Sequence, residues 1–271
     1  MSAEATPQRP AIAAPSLAAI PLMSQVRGID LGPATGFAVE NSEGTWFLIT
    51  NRHVVTGRHQ HTGQVLSKTA ATPDVLQFRL PIPEDPTHWY LNGVHLFEDD
   101  GLPCWLEHPD LGAQADVVGI ELQPGPLAPG RPYSFNVSTD HLGALTVTSA
   151  VAIVGFPLGH QASDLPIWMQ GHVASEPSLD YDGLPAFLID ARTRPGQSGS
   201  PVIEYFPSGF GPDPRQGGMV LSGGGPILRL HGVYSGRIDD RDLDVGLVWR
   251  TDCIREIVER GTRPTEPRDD G

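Results

Sequence analysis

The sequence predicts an all-β domain, either a sandwich or a barrel. Gly and Pro supply 31 and 27 of the 271 residues, and both residue types disrupt the interior of a helix. Short runs rich in β-branched and aromatic residues recur along the chain, with Gly, Pro, Asp and Asn between them. The regular alternation of strands and helices that builds a parallel sheet is not seen.

The first two predicted strands form a hairpin. Residues 35–40 and 45–50 are rich in β-branched and aromatic side chains, and residues 41–44 (NSEG) supply the turn. Further strands are predicted over 75–79, 116–122, 144–154, 166–173, 185–190, 200–205, 218–221 and 227–234. The segments 55–74 and 81–112 lack clean periodicity, so we expect long surface loops there.

The chain ends in a predicted helix over residues 251–260. Its apolar residues recur at helical spacing and are Ile254, Ile257 and Val258. Thr251 or Asp252 can cap the helix, and Gly261 can end it. The polar tail 263–271 is predicted to be disordered.

The N-terminal segment 1–25 is predicted to be a flexible leader. It is rich in Ala, but Pro15 and Pro21 interrupt its apolar part, and a signal peptide needs an unbroken apolar stretch. We therefore expect a cytoplasmic protein, with a cleaved export signal and secretion as the alternative.

Charge and cysteine content exclude several classes of function. Eighteen Lys and Arg against 32 Asp and Glu give a net charge of −14, which argues against binding to nucleic acid or to an anionic membrane. With only Cys104 and Cys253, neither a disulfide framework nor a metal site built from several thiolates is expected. A single bridge between these two cysteines is left open. No cofactor is expected.

A candidate nucleophile lies in the segment 194–202 (RPGQSGSPV). Ser198 stands next to Gly199, with Gly196 close before it, just ahead of a predicted strand. The glycines allow a sharp turn, and the same turn can aim the N–H groups of Gly196 and Ser198 at one oxyanion. Gly- and Ser-rich loops between strands are common, so the segment alone is equally typical of an ordinary turn.

A serine hydroxyl needs a base, and His53 is the candidate. It follows directly on the apolar strand in the segment 48–55 (LITNRHVV), at a strand-to-loop corner. The other nine histidines lie in loop or turn contexts or in the predicted strand 227–234, and most histidines are simply surface or hydrogen-bonded residues. His59 and His61 could bind a metal, but Cys or carboxylate ligands at useful spacing are missing, so no metal site is predicted.

Asp116 is the candidate for the acid that orients the base. It begins the apolar segment 116–122 (DVVGIEL), where a carboxylate can be partly buried; taken alone, a strand-capping Asp is the simpler interpretation. The order His, Asp, Ser is the chymotrypsin order. The opposite order, with His231 as base and Glu204 or Asp213 as acid, is weaker because the chain lacks βαβ units.

These motifs resemble those of trypsin-like serine peptidases with the chymotrypsin fold, in particular the bacterial branch of glutamyl endopeptidases and HtrA-type proteases. The resemblance covers residues 30–260. The matching segments are 48–55, 116–122, 196–202 (GQSGSPV) and 154–159 (VGFPLG). It implies a peptidase domain over 26–262 with two antiparallel six-stranded β-barrels, about 30–125 and 145–250, and a C-terminal α-helix at 251–260.

The resemblance also implies roles for single residues. His53 becomes the general base, Asp116 the orienting acid and Ser198 the nucleophile, and Gly196 with Ser198 forms the oxyanion hole. Gln197 stands where animal digestive members carry an Asp that pairs with a newly cut N-terminus, so zymogen activation of that kind is not expected. A PDZ-like domain after the peptidase is not expected either.

The sequence says less about substrate specificity than about the catalytic residues. By resemblance, the segment 228–236 lines the primary pocket, which makes Tyr234, Ser235 and Gly236 candidate substrate-binding residues. His231, Arg192 and Arg237 could together form a cationic pocket for an acidic side chain. The alternative, which we favour, is that both arginines point to water and His231 belongs to the barrel wall.

The sequence thus predicts a serine endopeptidase that hydrolyses peptide bonds through an acyl-enzyme. Its partner is a protein or peptide substrate, with no nucleic acid and no membrane, and any regulatory partner is unknown. Two alternatives stay open. One is a catalytically inactive binding module with the same fold, and the other is an esterase that uses the same triad.

Overall fold

A computed structural model describes residues 12–60, 62–66, 71–82, 85–122, 133–138, 145–238 and 244–267. Strands dominate these residues, which confirms the all-β prediction. Two groups of strands follow one another along the chain, and a helix at the C-terminal end packs against both of them.

The N-terminal group is one eight-stranded sheet. Its strands are β1 (Ala19–Val26), β2 (Ile29–Glu40), β3 (Trp46–Thr50), β4 (Val75–Ile82), β5 (Asp85–His95), β6 (Trp105–Leu106), β7 (Val118–Glu121) and β8 (Ser134–Phe135). Seven of them are antiparallel in the order β5-β4-β1-β2-β3-β7-β6, and β8 pairs in parallel with β2. This half therefore differs from the expected six-stranded barrel, because β8 adds to the sheet and β5 and β6 are the ends of its antiparallel path.

The C-terminal group contains the closed barrel that the resemblance implies. Its strands are β9 (Ala150–Gly155), β10 (Ile167–Val173), β11 (Ala186–Asp190), β12 (Pro201–Phe206), β15 (Ile227–Arg237) and β16 (Val245–Arg250). They close in the order β10-β11-β16-β15-β12-β9, and every pair is antiparallel. A small hairpin of β13 (Phe210–Pro212) and β14 (Met219–Leu221) leaves the barrel between β12 and β15.

Three α-helices occur in the described ranges: α1 (Ala14–Ala18), α2 (Arg52–Thr56) and α3 (Thr251–Arg260). The predicted C-terminal helix is confirmed as α3. Its predicted cap is wrong, because Arg250 is the N-cap residue and makes no side-chain cap bond. The hydroxyl of Thr251 instead donates to the backbone oxygen of Leu230 at 2.7 Å, which ties the helix to the barrel.

One buried apolar cluster joins the two halves of the molecule. Phe37 and Ile49 of the N-terminal sheet belong to the same cluster as Trp249 of the barrel and as Ile254 and Ile257 of α3. Gly119 of β7 packs closely against α3, because a Cβ added at Gly119 would lie 3.1 Å from Cγ2 of Ile257. The helix therefore fixes the two strand groups against each other, and the edges that carry the candidate site meet between them.

The predicted flexible leader is wrong from Ala14 onward. Residues 14–18 form α1 and residues 19–26 form β1, which pairs with both β2 and β4. The part of the leader before residue 12 lies outside the described residues. The predicted loop over 81–112 is also wrong in part, because residues 85–95 form β5.

Two smaller expectations concern the tail and the cysteines. The structure describes the tail as far as residue 267, and Arg263 forms an ion pair with Glu98 at 3.0 Å, so the prediction of disorder does not hold for its first residue. Both Cys104 and Cys253 are free thiols. The bridge that the sequence left open is therefore not formed.

No helix in the described ranges has the length and apolar character needed to cross a membrane.

Candidate active site

The register between β3 and β7 brings His53 and Asp116 together. The two strands are antiparallel, with Thr50 at the end of β3 opposite Val118 at the start of β7. His53 lies shortly after Thr50 and Asp116 shortly before Val118, so both leave the sheet at the same edge. Asn51 supports this corner, because its Nδ2 donates to the backbone oxygen of Asp116 at 2.7 Å.

His53 lies on the short helix α2 rather than on an open loop corner. The helix starts directly after Asn51 and ends at Thr56, and the φ of +67° at the next residue, Gly57, allows the chain to turn away. The helix places the ring against Asp116, since Nδ1 of His53 lies 2.7 Å from Oδ2 of Asp116. The backbone N–H of His53 donates to Oδ1 of the same carboxylate at 2.9 Å.

Asp116 is 1% exposed, and its carboxylate is well supplied with donors. Besides the two bonds from His53, the hydroxyl of Ser235 donates to Oδ2. Burial acts to lower the pKa of His53, but the charge and the hydrogen bond of Asp116 outweigh it, so the pKa is raised above 6.5. The carboxylate thus favours the proton on Nδ1 and leaves Nε2 as the basic nitrogen.

Ser198 lies in a tight turn that enters β12. Within this turn Ser200 N donates to the backbone oxygen of Gln197 at 3.0 Å, and Gly199 N donates to that of Tyr234 at 2.9 Å. Gly196 has a φ of +94°, and a Cβ there would be 2.6 Å from the backbone oxygen of Phe156. A residue other than glycine at 196 would therefore be strained by its backbone and by its neighbours.

Two backbone N–H groups of the turn are available to a ligand. Among the described residues, no acceptor pairs with the N–H of Gly196 or of Ser198. The carbonyl of Pro195 accepts from Leu158 N at 2.6 Å, and in a trans peptide the following N–H points the opposite way. The N–H of Gly196 is thus directed away from Leu158. Donors of this kind can stabilise an oxyanion.

His53 and Ser198 line the same cavity of about 440 Å³. The described residues include no hydrogen bond between the Ser198 hydroxyl and the His53 ring. In enzymes without bound substrate, such bonds are often long and tighten only when substrate arrives. The structure therefore brings His53 and Asp116 into contact and places Ser198 in the same cavity as His53.

A second cavity of about 590 Å³ is also lined by His53. Both cavities are lined by His53, Leu66, Gly236 and Arg237. The second one contains several apolar side chains, among them Tyr181 and Leu184. His53 therefore borders two neighbouring cavities with shared walls, which together give room for an extended ligand.

Only some of the predicted substrate-binding residues line a cavity. Tyr234 and Gly236 line the first cavity, and Ser235 lines the second. Arg192 lines neither; its side chain is 83% exposed and lies 3.6 Å from Asp244, which also pairs with Arg237 at 3.0 Å.

His231 is not a substrate-binding residue in this structure. Its side chain is 0% exposed and its Nε2 lies 3.0 Å from Oε2 of Glu204, which also pairs with Arg229 at 3.2 Å. The residue therefore belongs to a buried charge cluster between β12 and β15. The cationic pocket of His231 with two arginines is not formed.

Gln197, which departs from the pattern of the digestive enzymes, braces the turn from inside. It is 0% exposed, and its Oε1 accepts from the backbone N–H of Arg194 at 3.0 Å.

The role of Thr35, a buried residue of β2 that contacts the same turn, was not predicted from the sequence. Its hydroxyl donates to the backbone oxygen of Gly196 at 2.8 Å.

One cluster in the described ranges has ligand types suited to a metal: His108, Asp110 and Glu256. Nδ1 of His108 accepts two backbone N–H groups, from Asp110 and Leu111, both at 3.2 Å. The neutral ring therefore carries its proton on Nε2, which faces Glu256 at 3.5 Å, so neither nitrogen is free to bind a metal. Of the sequence pair His59 and His61, the second lies outside the described residues.

Comparisons with known proteins agree with this architecture. The family described as trypsin-like peptidase domain matches residues 34–205. A serine endoprotease from Yersinia pestis aligns with a TM-score of 0.51 and 11% identity, over 90% of this chain and 62% of that one. A variant of the tobacco etch virus protease aligns with a TM-score of 0.50 and 14% identity, over 96% and 87%. No curated protein sequence matches the chain significantly.

Proposed function

Because this chain belongs to the trypsin-like peptidase family, we propose that it is a serine endopeptidase that works through a His53–Asp116–Ser198 triad. The observation that carries the proposal is the contact of Asp116 with both the ring and the backbone of His53, whose side chain lines the same cavity as Ser198. The membership itself makes the chain a peptidase, so its substrates are peptides or proteins.

The proposed reaction proceeds through an acyl-enzyme. Nε2 of His53 takes the proton of the Ser198 hydroxyl while Oγ attacks the scissile carbonyl carbon, and the N–H groups of Gly196 and Ser198 hold the oxyanion. The imidazolium, stabilised by Asp116, then protonates the leaving amine as the C–N bond breaks. Water, activated by His53, hydrolyses the ester and restores Ser198.

Cleavage within a chain, rather than at its end, is supported by the two cavities that His53 borders. A bound peptide can occupy both of them at once. Tyr234 and Gly236 line one cavity, and Ser235 lines the other, so β15 runs along the cleft. An extended peptide can pair with such a strand by β-augmentation.

Casein turnover tests the proposal with a matched pair of variants. Ser198→Ala is expected to lower kcat by about 10⁴- to 10⁶-fold, as loss of a triad nucleophile does. Ser200→Ala removes a hydroxyl from the same turn that is buried and has no partner in the described part of the chain, so it should keep the wild-type rate. Equal casein cleavage by wild type and Ser198→Ala would refute the nucleophile.

An inactive binding module with the same fold is the second candidate. The observation in its favour is that Ser198 and His53 share a cavity but no hydrogen bond. Such a module would bind peptides, and neither the wild-type chain nor either variant would cleave casein. An esterase, in contrast, would hydrolyse a nitrophenyl ester and leave casein intact.

A further inference from the structure

Thr35 binds the turn that carries Ser198 by two of its own polar groups. Its backbone N–H donates to the backbone oxygen of Ser198 at 2.9 Å, and its hydroxyl donates to that of Gly196 at 2.8 Å. The same hydroxyl accepts the backbone N–H of Phe156 at 3.0 Å. Thr35 is 0% exposed, so water cannot replace these bonds.

The three segments that meet at Thr35 come from both halves of the molecule. Thr35 belongs to β2 of the N-terminal sheet, whereas Phe156 follows β9 and Gly196 precedes β12 of the barrel. The hydroxyl of Thr50 in turn donates to the backbone oxygen of Thr35 at 2.9 Å, which holds Thr35 in the sheet.

The position of the Gly196 N–H depends on the two peptide groups that flank this residue. The carbonyl of Pro195 is held by Leu158 N and the carbonyl of Gly196 by the Thr35 hydroxyl. Because Gly196 has no side chain and a φ of +94°, its own backbone does little to resist rotation. Its orientation therefore depends on these two external bonds and on one longer bond within the turn, from the N–H of Gln197 to the backbone oxygen of Arg194 at 3.3 Å.

We propose that Thr35 is a positioning residue whose hydroxyl holds the Gly196–Gln197 peptide so that the Gly196 N–H stays directed at the oxyanion. This inference rests on the proposed function. Without the hydroxyl, the carbonyl of Gly196 and the N–H of Phe156 both lose a buried partner, and the turn gains an alternative in which the peptide rotates. The triad itself would remain intact.

The test is the rate at which a fluorophosphonate probe labels Ser198, measured against pH in the full chain and well below each variant's melting temperature. Thr35→Val keeps the size of the side chain and removes the hydroxyl, and Thr35→Ser restores it. Removal of one oxyanion donor costs about 10²- to 10³-fold, so we expect Thr35→Val to lower the plateau rate by up to about 10²-fold. The pH midpoint should not change, because His53 and Asp116 are untouched.

Thr50→Val is the matched control, since it removes another buried hydroxyl that hydrogen-bonds to Thr35 and that packs beside Gly199 without a hydrogen bond to the described residues of the turn. It should lose stability and keep a plateau rate close to that of wild type, as Thr35→Ser should. If Thr35→Val does not fold, Thr35→Cys, whose thiol is a weak donor, replaces it with the same expected direction.

The outcomes separate the two proposals. A wild-type plateau rate in Thr35→Val, or equal losses in Thr35→Ser or Thr50→Val, overturns the positioning role alone. Failure of the wild-type chain to react with the probe overturns the proposed function, and the positioning role falls with it.

Discussion

Asp116 holds His53 at two points, through Nδ1 of the ring at 2.7 Å and through the backbone N–H at 2.9 Å. The two bonds use different oxygens of one buried carboxylate, so they fix the ring plane and the start of α2 together. The proton on Nδ1 is thereby favoured, and Nε2 is left as the base.

Asp116→Asn should therefore change both the rate and its dependence on pH. Burial lowers the pKa of His53, but the charge and the hydrogen bond of Asp116 together outweigh it and raise the pKa above 6.5. Removal of the charge should therefore move the acidic limb of kcat/KM to lower pH. An amide also no longer favours the correct tautomer, and we expect kcat to fall by about 10⁴-fold. A pH–rate profile that keeps the wild-type midpoint would contradict this.

The same pair should affect stability in a defined pH range. A raised pKa in the folded state stabilises the protein fully below the unfolded value of 6.5, and this contribution is lost as the pH rises through the folded pKa. Thermal unfolding of Asp116→Asn should accordingly show a larger deficit just below pH 6.5 than above the raised pKa.

Ser235→Ala tests the third donor to Asp116. Its hydroxyl bonds to the oxygen that also faces His53, and hydrogen bonds to charged groups contribute about 1.5–3 kcal/mol. We expect a loss of that order in the free energy of unfolding, measured with urea, and a smaller fall in kcat than in Asp116→Asn because both His53 bonds persist. Ser200→Ala serves as control, and equal effects in the two variants would argue against a specific role for Ser235.

Glu204→Gln should destabilise the barrel and leave the chemistry alone. Glu204 bonds to His231 and Arg229, and all three side chains are at most 6% exposed. Breaking a buried pair costs about 3–5 kcal/mol. Since the cluster lines neither cavity, kcat of the folded variant should equal that of wild type.

The pH dependence of this variant follows from the pKa of Glu204. Burial acts to raise it, but hydrogen bonds and charges of His231 and Arg229 lower it below 4.5. The stability gained is present above 4.5 and lost as the pH falls through the lower folded value. Urea unfolding should thus separate wild type from variant at neutral pH and much less in strong acid; an equal difference at both would contradict the assignment.

Tyr234 provides a spectroscopic check on the floor of the cavity. Its ring is 1% exposed and its hydroxyl bonds to that of Thr193, and burial raises its pKa to about 12. An ultraviolet titration of the folded protein should therefore contain a phenol phase near pH 12, which Tyr234→Phe removes. Survival of that phase in the variant would assign it to another tyrosine.

The sequence was most informative where a chemical residue stands next to an apolar strand. His53 and Asp116 each lie beside such a strand, and pairing of the strands brings them together. Ser198 had a local signal of another kind, the glycines that its turn requires. These features are properties of short segments, so they can be read without knowledge of the fold.

Strands were missed where local composition opposed the final structure. Pro21 suggested a break in the leader, yet it lies in β1, where it pairs with Thr35 of β2 and precedes the pairing with β4 that starts at Leu22. A missing N–H is tolerated there because only one neighbouring strand is present. Strand β5 is the end of its sheet, with Leu91 68% exposed, so it lacks a clear apolar face.

The role of Thr35 could not be predicted, because its partners are distant in the sequence. Gly196 lies 161 positions away and Phe156 lies 121 positions away. The cationic pocket with His231 is not formed for a related reason: pairing with Glu204 across β12 and β15 buries His231 in the barrel wall, which is the alternative that we favoured. Both results depend on tertiary contacts that no local pattern contains.

The most direct test of the central claim is labelling of the purified chain with a fluorophosphonate, followed by mass-spectrometric mapping of the modified residue. An activated serine reacts quickly, whereas an ordinary serine does not. We expect a single adduct on Ser198 that is lost in His53→Ala and retained in Ser200→Ala. No adduct, an adduct elsewhere, or undiminished labelling of His53→Ala would contradict the account.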